Sequence, residues 1–125
     1  MEVYERLVKE GYDVIVITLS SKLSGTYKAA CNAAMNFDNV HVVDSLGATL
    51  TQKLLVLYAC QLVEKGLPAP QIIKELNAKK TKIRLYAAVD TLDYLKKGGR
   101  VSAAAATVGN ILNLKPILSV IDGEV

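Results

Sequence analysis

Apolar residues along the chain fall into short continuous runs separated by longer segments of helical periodicity. The short runs predict four strands, at residues 13–19, 40–43, 83–89 and 115–121. The first contains Val-Ile-Val-Ile, a β-branched run typical of strands that helices cover on both faces. The longer segments predict helices at residues 2–11, 25–36, 49–65, 69–79, 92–97 and 102–112. Strands that alternate with helices at this spacing predict an α/β fold, with a predominantly parallel sheet flanked by helices.

The predicted elements suggest a division near residue 90. Residues 1–90 are expected to form an α/β domain. Residues 91–125 are expected to form inter-domain helices and the beginning of a second, incomplete domain. The chain stops directly after a predicted strand, at Gly123-Glu124-Val125, where another hairpin strand would be natural. Its end is therefore interpreted as cut rather than finished.

Composition indicates an ordinary globular protein of 125 residues, with 51% hydrophobic and 22% charged residues. The apolar runs are far shorter than the roughly 20 residues that span a bilayer, and the charged N-terminal segment does not resemble a signal peptide. A cytoplasmic protein with no stable membrane insertion is therefore expected. The net charge of +3 is mostly scattered, whereas a nucleic-acid-binding surface needs a denser basic stripe, so no nucleic-acid partner is expected.

The residues that commonly carry metal or nucleophilic chemistry are few. Cys31 and Cys60 each lie in a predicted helix among small or apolar neighbours, so both are expected to be buried free thiols. His41 is the only histidine, so no metal site is expected. The chain also lacks the Gly-x-x-x-x-Gly-Lys-Ser/Thr loop and the Gly-x-Ser-x-Gly elbow. We therefore predict neither a catalytic residue nor a cofactor.

The strongest candidate for function is the polar segment between the first strand and the second helix. Ser24, Gly25 and Thr26 lie where that helix begins, at the carboxyl end of a predicted parallel strand. Helix N–H groups, two hydroxyls and a glycine that admits close approach suit a carboxylate or phosphate. The alternative interpretation, which the local pattern alone favours, is that Ser24 merely caps the helix.

Two further polar segments follow later strands. Ser45 comes after Asp44, at the end of the second strand, and could contact a ligand or cap the next helix. Arg100 stands in a predicted helix–turn–helix joint, where Gly98-Gly99 ends one helix and Ser102 starts the next. It could pair with a nearby aspartate or reach an acidic ligand or partner.

Three blocks of sequence, taken together, resemble the DegV family over nearly the whole chain. The first is Ser-Ser-Lys-Leu-Ser-Gly-Thr-Tyr at residues 20–27, and the second is Val-Val-Asp-Ser-Leu-Gly-Ala at residues 42–48. The third is Val-Asp-Thr-Leu-Asp-Tyr-Leu-Lys-Lys-Gly-Gly-Arg-Val-Ser at residues 89–102, continuing into Gly-Asn-Ile-Leu-Asn-Leu-Lys-Pro-Ile-Leu at residues 109–118.

The resemblance implies a protein that binds a long-chain fatty acid and performs no chemistry on it. In the family, two α/β domains enclose the acyl tail in an apolar tunnel, and the serine of the Ser-Gly-Thr motif, here Ser24, meets the carboxylate. Members present the acid to a separate fatty acid kinase protein, whose product feeds phospholipid synthesis. The resemblance thus implies two partners, a fatty acid and a kinase.

The same resemblance indicates a chain truncated at both ends. The family's initial strand with its Thr-Asp-Ser segment is absent, as is much of the second domain after Val125. Thr51-Gln52-Lys53 replaces a common Gly-Gln-Gly, and Ser119 stands where many relatives have histidine. Two alternatives remain open. One is a non-binding remnant whose exposed apolar surface drives homo-oligomerisation, and the other is a small transferase that handles an anion or phosphate.

Overall fold

A computed structural model describes residues 1–102 and 115–125, so the predicted helix at residues 102–112 lies outside the described residues beyond its first position. The described elements follow the predicted order and differ mainly at their ends. They are α1 Glu2–Lys9, β1 Val14–Thr18, α2 Thr26–Ala34, β2 Val40–Asp44, α3 Leu50–Glu64, α4 Ala69–Lys80, β3 Leu85–Ala88, α5 Asp93–Lys97 and β4 Ile117–Val120.

The first two strands form a parallel sheet, in register from Val14 opposite Val40 to Thr18 opposite Asp44. The connection between them is α2, as expected for parallel strands, which need a crossover. This arrangement confirms the predicted α/β class, with helices packed on a parallel sheet.

The core lies between this sheet and the two longest helices. Leu55 of α3 and Leu76 of α4 are fully buried, and Ile72 is 2% exposed. Ile15 and Ile17 of β1 pack against them. Burying one such side chain stabilises the fold by roughly 1.5–3 kcal/mol, so this apolar layer holds the helices to the sheet.

The third and fourth strands depart from the parallel pattern. Within the described ranges they form a separate two-stranded sheet, antiparallel, with Leu85 opposite Val120 and Ala87 opposite Leu118. Burial alternates along β3, which is typical of an antiparallel strand with one covered face. β4, from the predicted second part of the chain, therefore pairs with a strand of the first, and the division near residue 90 stays a prediction.

The prediction of two buried thiols is wrong for Cys60. Both cysteines are free, but Cys60 is exposed and Cys31 is only half-buried. The reason is the orientation of α3, which turns Leu55, Ala59 and Leu62 into the core and leaves Cys60 on the adjacent face. No helix in the part of the chain that the structure describes is long and apolar enough to cross a membrane.

Candidate ligand-binding site

The loop between β1 and α2 lies at the carboxyl edge of the parallel sheet, beside the turn that follows β2. The Ser20 N–H donates to the Gly47 carbonyl at 2.7 Å. The Ser21 N–H donates to the Asp44 carboxylate, with distances of 3.2 and 3.3 Å to its two oxygens. The sheet therefore brings together the first two polar segments that the sequence singled out.

Ser24 and Thr26 place two hydroxyls side by side at the start of α2. Their oxygens are 2.8 Å apart, and Ser24 Oγ also accepts from the Thr26 N–H at 3.2 Å. One hydroxyl proton is used in this mutual hydrogen bond, so the other remains to donate to a ligand oxygen. Ser24 is half-buried, Gly25 and Thr26 are exposed, and a Cβ on Gly25 would meet nothing within 4 Å. α2 has Gly25 at its N-cap position and no capping hydrogen bond from a side chain, so Ser24 does not cap the helix but forms a local turn before it, and the hydroxyl pair keeps an open approach.

Ser20 anchors the base of this loop to the far end of the chain. Its fully buried hydroxyl donates to the Gly123 carbonyl at 2.7 Å and accepts from the Lys22 N–H at 3.2 Å. Gly123 has φ +91°, and a Cβ there would lie 2.6 Å from Ser20 Oγ. Lys22 also forms an ion pair with Glu124 at 3.0 Å. Sequence reasoning missed this contact, because its only signal is the turn dipeptide Asp122-Gly123, 103 residues after Ser20.

Arg100 holds the same loop from a third direction. Its Nε and Nη2 donate to the Leu23 carbonyl at 3.0 and 2.9 Å, and its Nη1 donates to the Gly98 carbonyl. Leu23 immediately precedes Ser24, so the guanidinium fixes the backbone next to the hydroxyl pair. Asp90, one of the aspartates considered as its partner, pairs with Lys115 at 2.9 Å. Direct contact of Arg100 with a ligand or partner stays a prediction.

The joint that carries Arg100 ends α5 at the predicted glycines, whereas the helix begins after Leu92 without a capping hydrogen bond from that side chain. Thr91 Oγ1 accepts from the Asp93 N–H at 3.1 Å where α5 begins. Gly99 follows the helix with φ +73°, a conformation that glycine adopts at low cost. These local contacts set the direction in which Arg100 leaves the turn.

Ser45 is placed differently from Ser24. It is fully buried, and its hydroxyl exchanges hydrogen bonds with Gly47, to the carbonyl and from the N–H, each at 3.2 Å. In this conformation Ser45 supports the turn after β2, which accepts a hydrogen bond from the Ser20 N–H of the loop between β1 and α2. Its predicted contact with a ligand stays untested.

An apolar cavity of about 280 Å³ adjoins the loop. The inward side chains of β3 and β4 form one wall, and Leu23 and Arg100 belong to both the cavity and the loop. Its lining residues are Leu23, Ala48, Thr49, Leu85, Ala87, Val89, Leu95, Arg100, Leu118, Val120 and Val125. A polar cavity of about 270 Å³ shares Leu23, Arg100 and Val125 with it and adds Lys22 and Glu124. The site therefore combines an apolar space with polar and basic groups at one side.

The electrostatics of the loop favour an anion over a metal ion. Arg100 brings positive charge to it and the start of α2 adds the positive end of a helix dipole, while the charge of Lys22 is offset by its ion pair with Glu124. Tyr27 stays neutral, since its hydrogen bond with Cys31, and then its burial, raise the pKa of its hydroxyl. The described residues contain no group of three His, Cys, Asp or Glu side chains that could hold a metal ion.

The fold and these contacts define a class of α/β protein in which a strand-to-helix loop with paired hydroxyls lies beside an apolar cavity. The model of the DegV family, described as a family of uncharacterised proteins, matches residues 1–125. The chain belongs to the DegV family, as the three sequence blocks predicted.

Curated relatives and solved structures agree with this assignment. A DegV domain-containing protein of Clostridium acetobutylicum is 43% identical over 123 residues, which are 97% of this chain and 44% of that protein. A fatty-acid-binding DegV family protein of Thermus thermophilus superposes with a TM-score of 0.86 at 36% identity, and a stearic-acid-binding protein of Eubacterium ventriosum with 0.87 at 32% identity. Each match covers 98% of this chain and 44% of the solved chain. The chain thus spans less than half the length of these relatives.

Proposed function

We propose that this chain binds a long-chain fatty acid without transforming it, with the carboxylate at Ser24, Gly25 and Thr26 and the acyl chain in the apolar cavity. The observation that carries the proposal is that Leu23, the residue immediately before Ser24, lines the apolar cavity, so a ligand with a polar head and an apolar tail could reach from the hydroxyl pair into it. Solved relatives described as fatty-acid-binding proteins support the same ligand.

The carboxylate end is recognised by hydrogen bonds rather than by a full ion pair. The free hydroxyl proton of the Ser24–Thr26 pair and the N–H groups of the first turn of α2 are donors to an anion. Such charge-assisted hydrogen bonds are about twice as strong as neutral ones. Arg100 contributes by fixing Leu23, which keeps the donors in place before the ligand arrives.

The apolar end provides most of the affinity. Each buried methylene stabilises the complex by about 0.8 kcal/mol, so a long chain binds tightly without polar specificity. The cavity of 280 Å³ lies just below the roughly 300–1,000 Å³ usual for ligand pockets. We therefore infer that it covers only part of the acyl chain.

The role of the bound acid is presentation to a separate fatty acid kinase in the cytoplasm. The family resemblance supports this role, and the exposure of Gly25 and Thr26 leaves the carboxylate region accessible to a partner. His41, the chain's only histidine, lies near the opposite end of β2 from the loop, so it is not placed to activate Ser24.

The test is extraction of natively purified protein with organic solvent, followed by mass spectrometry for fatty acids. Stoichiometric C16–C18 acid is expected, with lower retention in Ser24→Ala. Ser21→Ala is the matched control, because Ser21 lies in the same loop, is exposed and bonds Asp44 through its backbone N–H. No lipid even after incubation with excess acid would refute the proposal. Bound phosphate without lipid would favour the transferase alternative instead.

A further inference from the structure

The turn that joins β2 to α3, residues 45–49, contains two non-glycine residues with positive φ. Leu46 has φ +51°, and Thr49 has φ +45° with ψ −106°. A positive φ is unfavourable for a residue with a Cβ, and for a β-branched residue such as threonine it is a genuine outlier. Thr49 also lacks the usual role of a threonine before a helix, because α3 has no capping hydrogen bond from a side chain. The β2–α3 turn is therefore a strained segment.

Hydrogen bonds and close packing hold this strained turn in place. Asp44 Oδ1 accepts from the Leu46 N–H at 2.9 Å. The Gly47 carbonyl accepts from the Ser20 N–H at 2.7 Å, and a Cβ on Gly47 would lie 2.5 Å from Thr51 Cγ2 in the first turn of α3. Backbone strain persists only where the surrounding structure fixes the conformation, and such positions cluster at functional sites. The contacts around the β2–α3 turn meet the first condition.

The β2–α3 turn lies between the two ends of the proposed fatty-acid site. The Asp44 carboxylate also accepts from the Ser21 N–H, with distances of 3.2 and 3.3 Å to its two oxygens, in the loop that carries the hydroxyl pair. Within the turn itself, Ala48 and Thr49 line the apolar cavity together with Leu23. One carboxylate therefore binds backbone N–H groups of both the loop at the carboxylate end and the turn at the acyl end.

We propose that Asp44 is a positioning residue that couples the two ends of the site through the β2–α3 turn, an inference that rests on the proposed function. Asp44 does not touch the fatty acid. It holds the turn in the strained conformation that places Ala48 and Thr49 at the cavity, and it holds Ser21 in the loop that leads to Ser24. Binding at either end then favours the same conformation, and such coupling is reciprocal.

The charge of Asp44 provides a control that separates positioning from electrostatics. A carboxylate near the loop repels the carboxylate of a fatty acid, so removal of the charge alone favours the ligand. Asp44 Oδ1 accepts from both N–H groups, and the amide oxygen of asparagine can do the same. Asp44→Asn should therefore bind at least as tightly as the wild type, whereas Asp44→Ala loses the acceptor and should bind less tightly.

The first test is equilibrium binding of saturated fatty acids of about 8 to 16 carbons, in which each covered methylene should tighten binding about fourfold. Asp44→Ala should reduce this gain, so that its loss of affinity is about tenfold or more larger for the longest acid than for the shortest. Ser24→Ala, which removes a hydroxyl at the carboxylate end only, should lose the same factor at every chain length.

The outcomes of this test separate the coupling from the proposed function. A loss in Asp44→Ala that is independent of chain length would overturn the coupling and leave the proposed function intact, as would equal losses in Asp44→Asn and Asp44→Ala. No binding of any acid by the wild type would refute the proposed function, and the coupling with it. Gly47→Ala displaces the turn without changing Asp44 and should reproduce the chain-length-dependent loss; unchanged binding by this variant would overturn the role of the turn.

The second test needs no ligand. Thr49→Gly should raise the midpoint of urea unfolding, because glycine adopts φ +45° without a conflict at Cβ. Leu50→Gly is the matched control, because Leu50 is the exposed first residue of α3 and glycine should lower the midpoint in a helix. A midpoint lowered as much by Thr49→Gly as by Leu50→Gly would show that the β2–α3 turn is not strained and would overturn the proposal.

Discussion

Replacement of Gly123 by alanine tests whether the far end of the chain holds the candidate site. Two costs are expected. The first is backbone strain, because φ +91° is unfavourable for a residue with a Cβ, at about 1–2 kcal/mol. The second is the contact with Ser20, because the new Cβ would lie 2.6 Å from Ser20 Oγ and would displace a buried hydrogen bond. Leaving such a buried group unsatisfied costs about 1–3 kcal/mol.

The sum is an upper limit, since the tight turn closed by backbone hydrogen bonds between Ile121 and Glu124 can detach from the loop instead of bearing the full strain. We therefore expect a loss of about 2 kcal/mol in the free energy of unfolding, measured by urea denaturation of purified protein. Fatty-acid retention should fall with it, because the detached turn no longer holds Ser20 at the base of the loop between β1 and α2.

Gly66→Ala separates the two costs. Gly66 also has positive φ, at +75°, but a Cβ there would meet nothing within 4 Å. It should show the strain alone, about 1 kcal/mol. In a Ser20→Ala background, Gly123→Ala should cost little more than Gly66→Ala does. If Gly123→Ala is no more destabilising than Gly66→Ala in the wild-type background, the Ser20–Gly123 contact is not what supports the loop.

Three further predictions follow from the described contacts. Arg100→Lys should reduce fatty-acid retention several-fold, because lysine cannot donate the two hydrogen bonds that the guanidinium makes to the Leu23 carbonyl. The free energy of unfolding should change by less than about 1 kcal/mol, because the site is exposed. Equal retention of the fatty acid by the variant and the wild type in equilibrium binding would contradict this role. Leu76→Ala should cost about 2–5 kcal/mol in urea denaturation, because the side chain is fully buried in the core; a loss below 1 kcal/mol would mean that α4 packs loosely. Desolvation, and then the hydrogen bond to Glu75, raise the pKa of the Tyr58 hydroxyl above 10.0, so the folded state binds this proton more tightly than the unfolded state does. The stability that this proton contributes is therefore lost as pH rises from about 10 through the folded-state pKa. Tyr58→Phe should flatten this alkaline loss of stability, and an unchanged slope of stability against pH would contradict the prediction.

The elements that sequence reasoning predicted best are those with a local cause. The β-branched run of β1 and the helical periodicity of α3 and α4 depend on neighbouring residues alone, and the structure places their ends within one or two residues of the prediction. The pairing of β3 with β4 has no such local cause. α5 and the segment after it separate β4 from β3 in the sequence, and an apolar run of four residues is compatible with both parallel and antiparallel pairing.

The candidate site shows the same limit at the level of single side chains. Ser20 and Ser21 are adjacent and equivalent in a sequence pattern, and only the fold makes the first a buried anchor and the second an exposed donor through its backbone, whereas the motif had already singled out Ser24. The long-range contacts that hold this loop come from Gly123 and Arg100, which are 103 and 77 residues from Ser20 and Leu23, the positions that they contact. A local motif can therefore indicate a candidate anion site, but the contacts that hold its hydrogen-bond donors in position are non-local. Weakening either contact should lower affinity even if every residue of the Ser-Gly-Thr motif is kept.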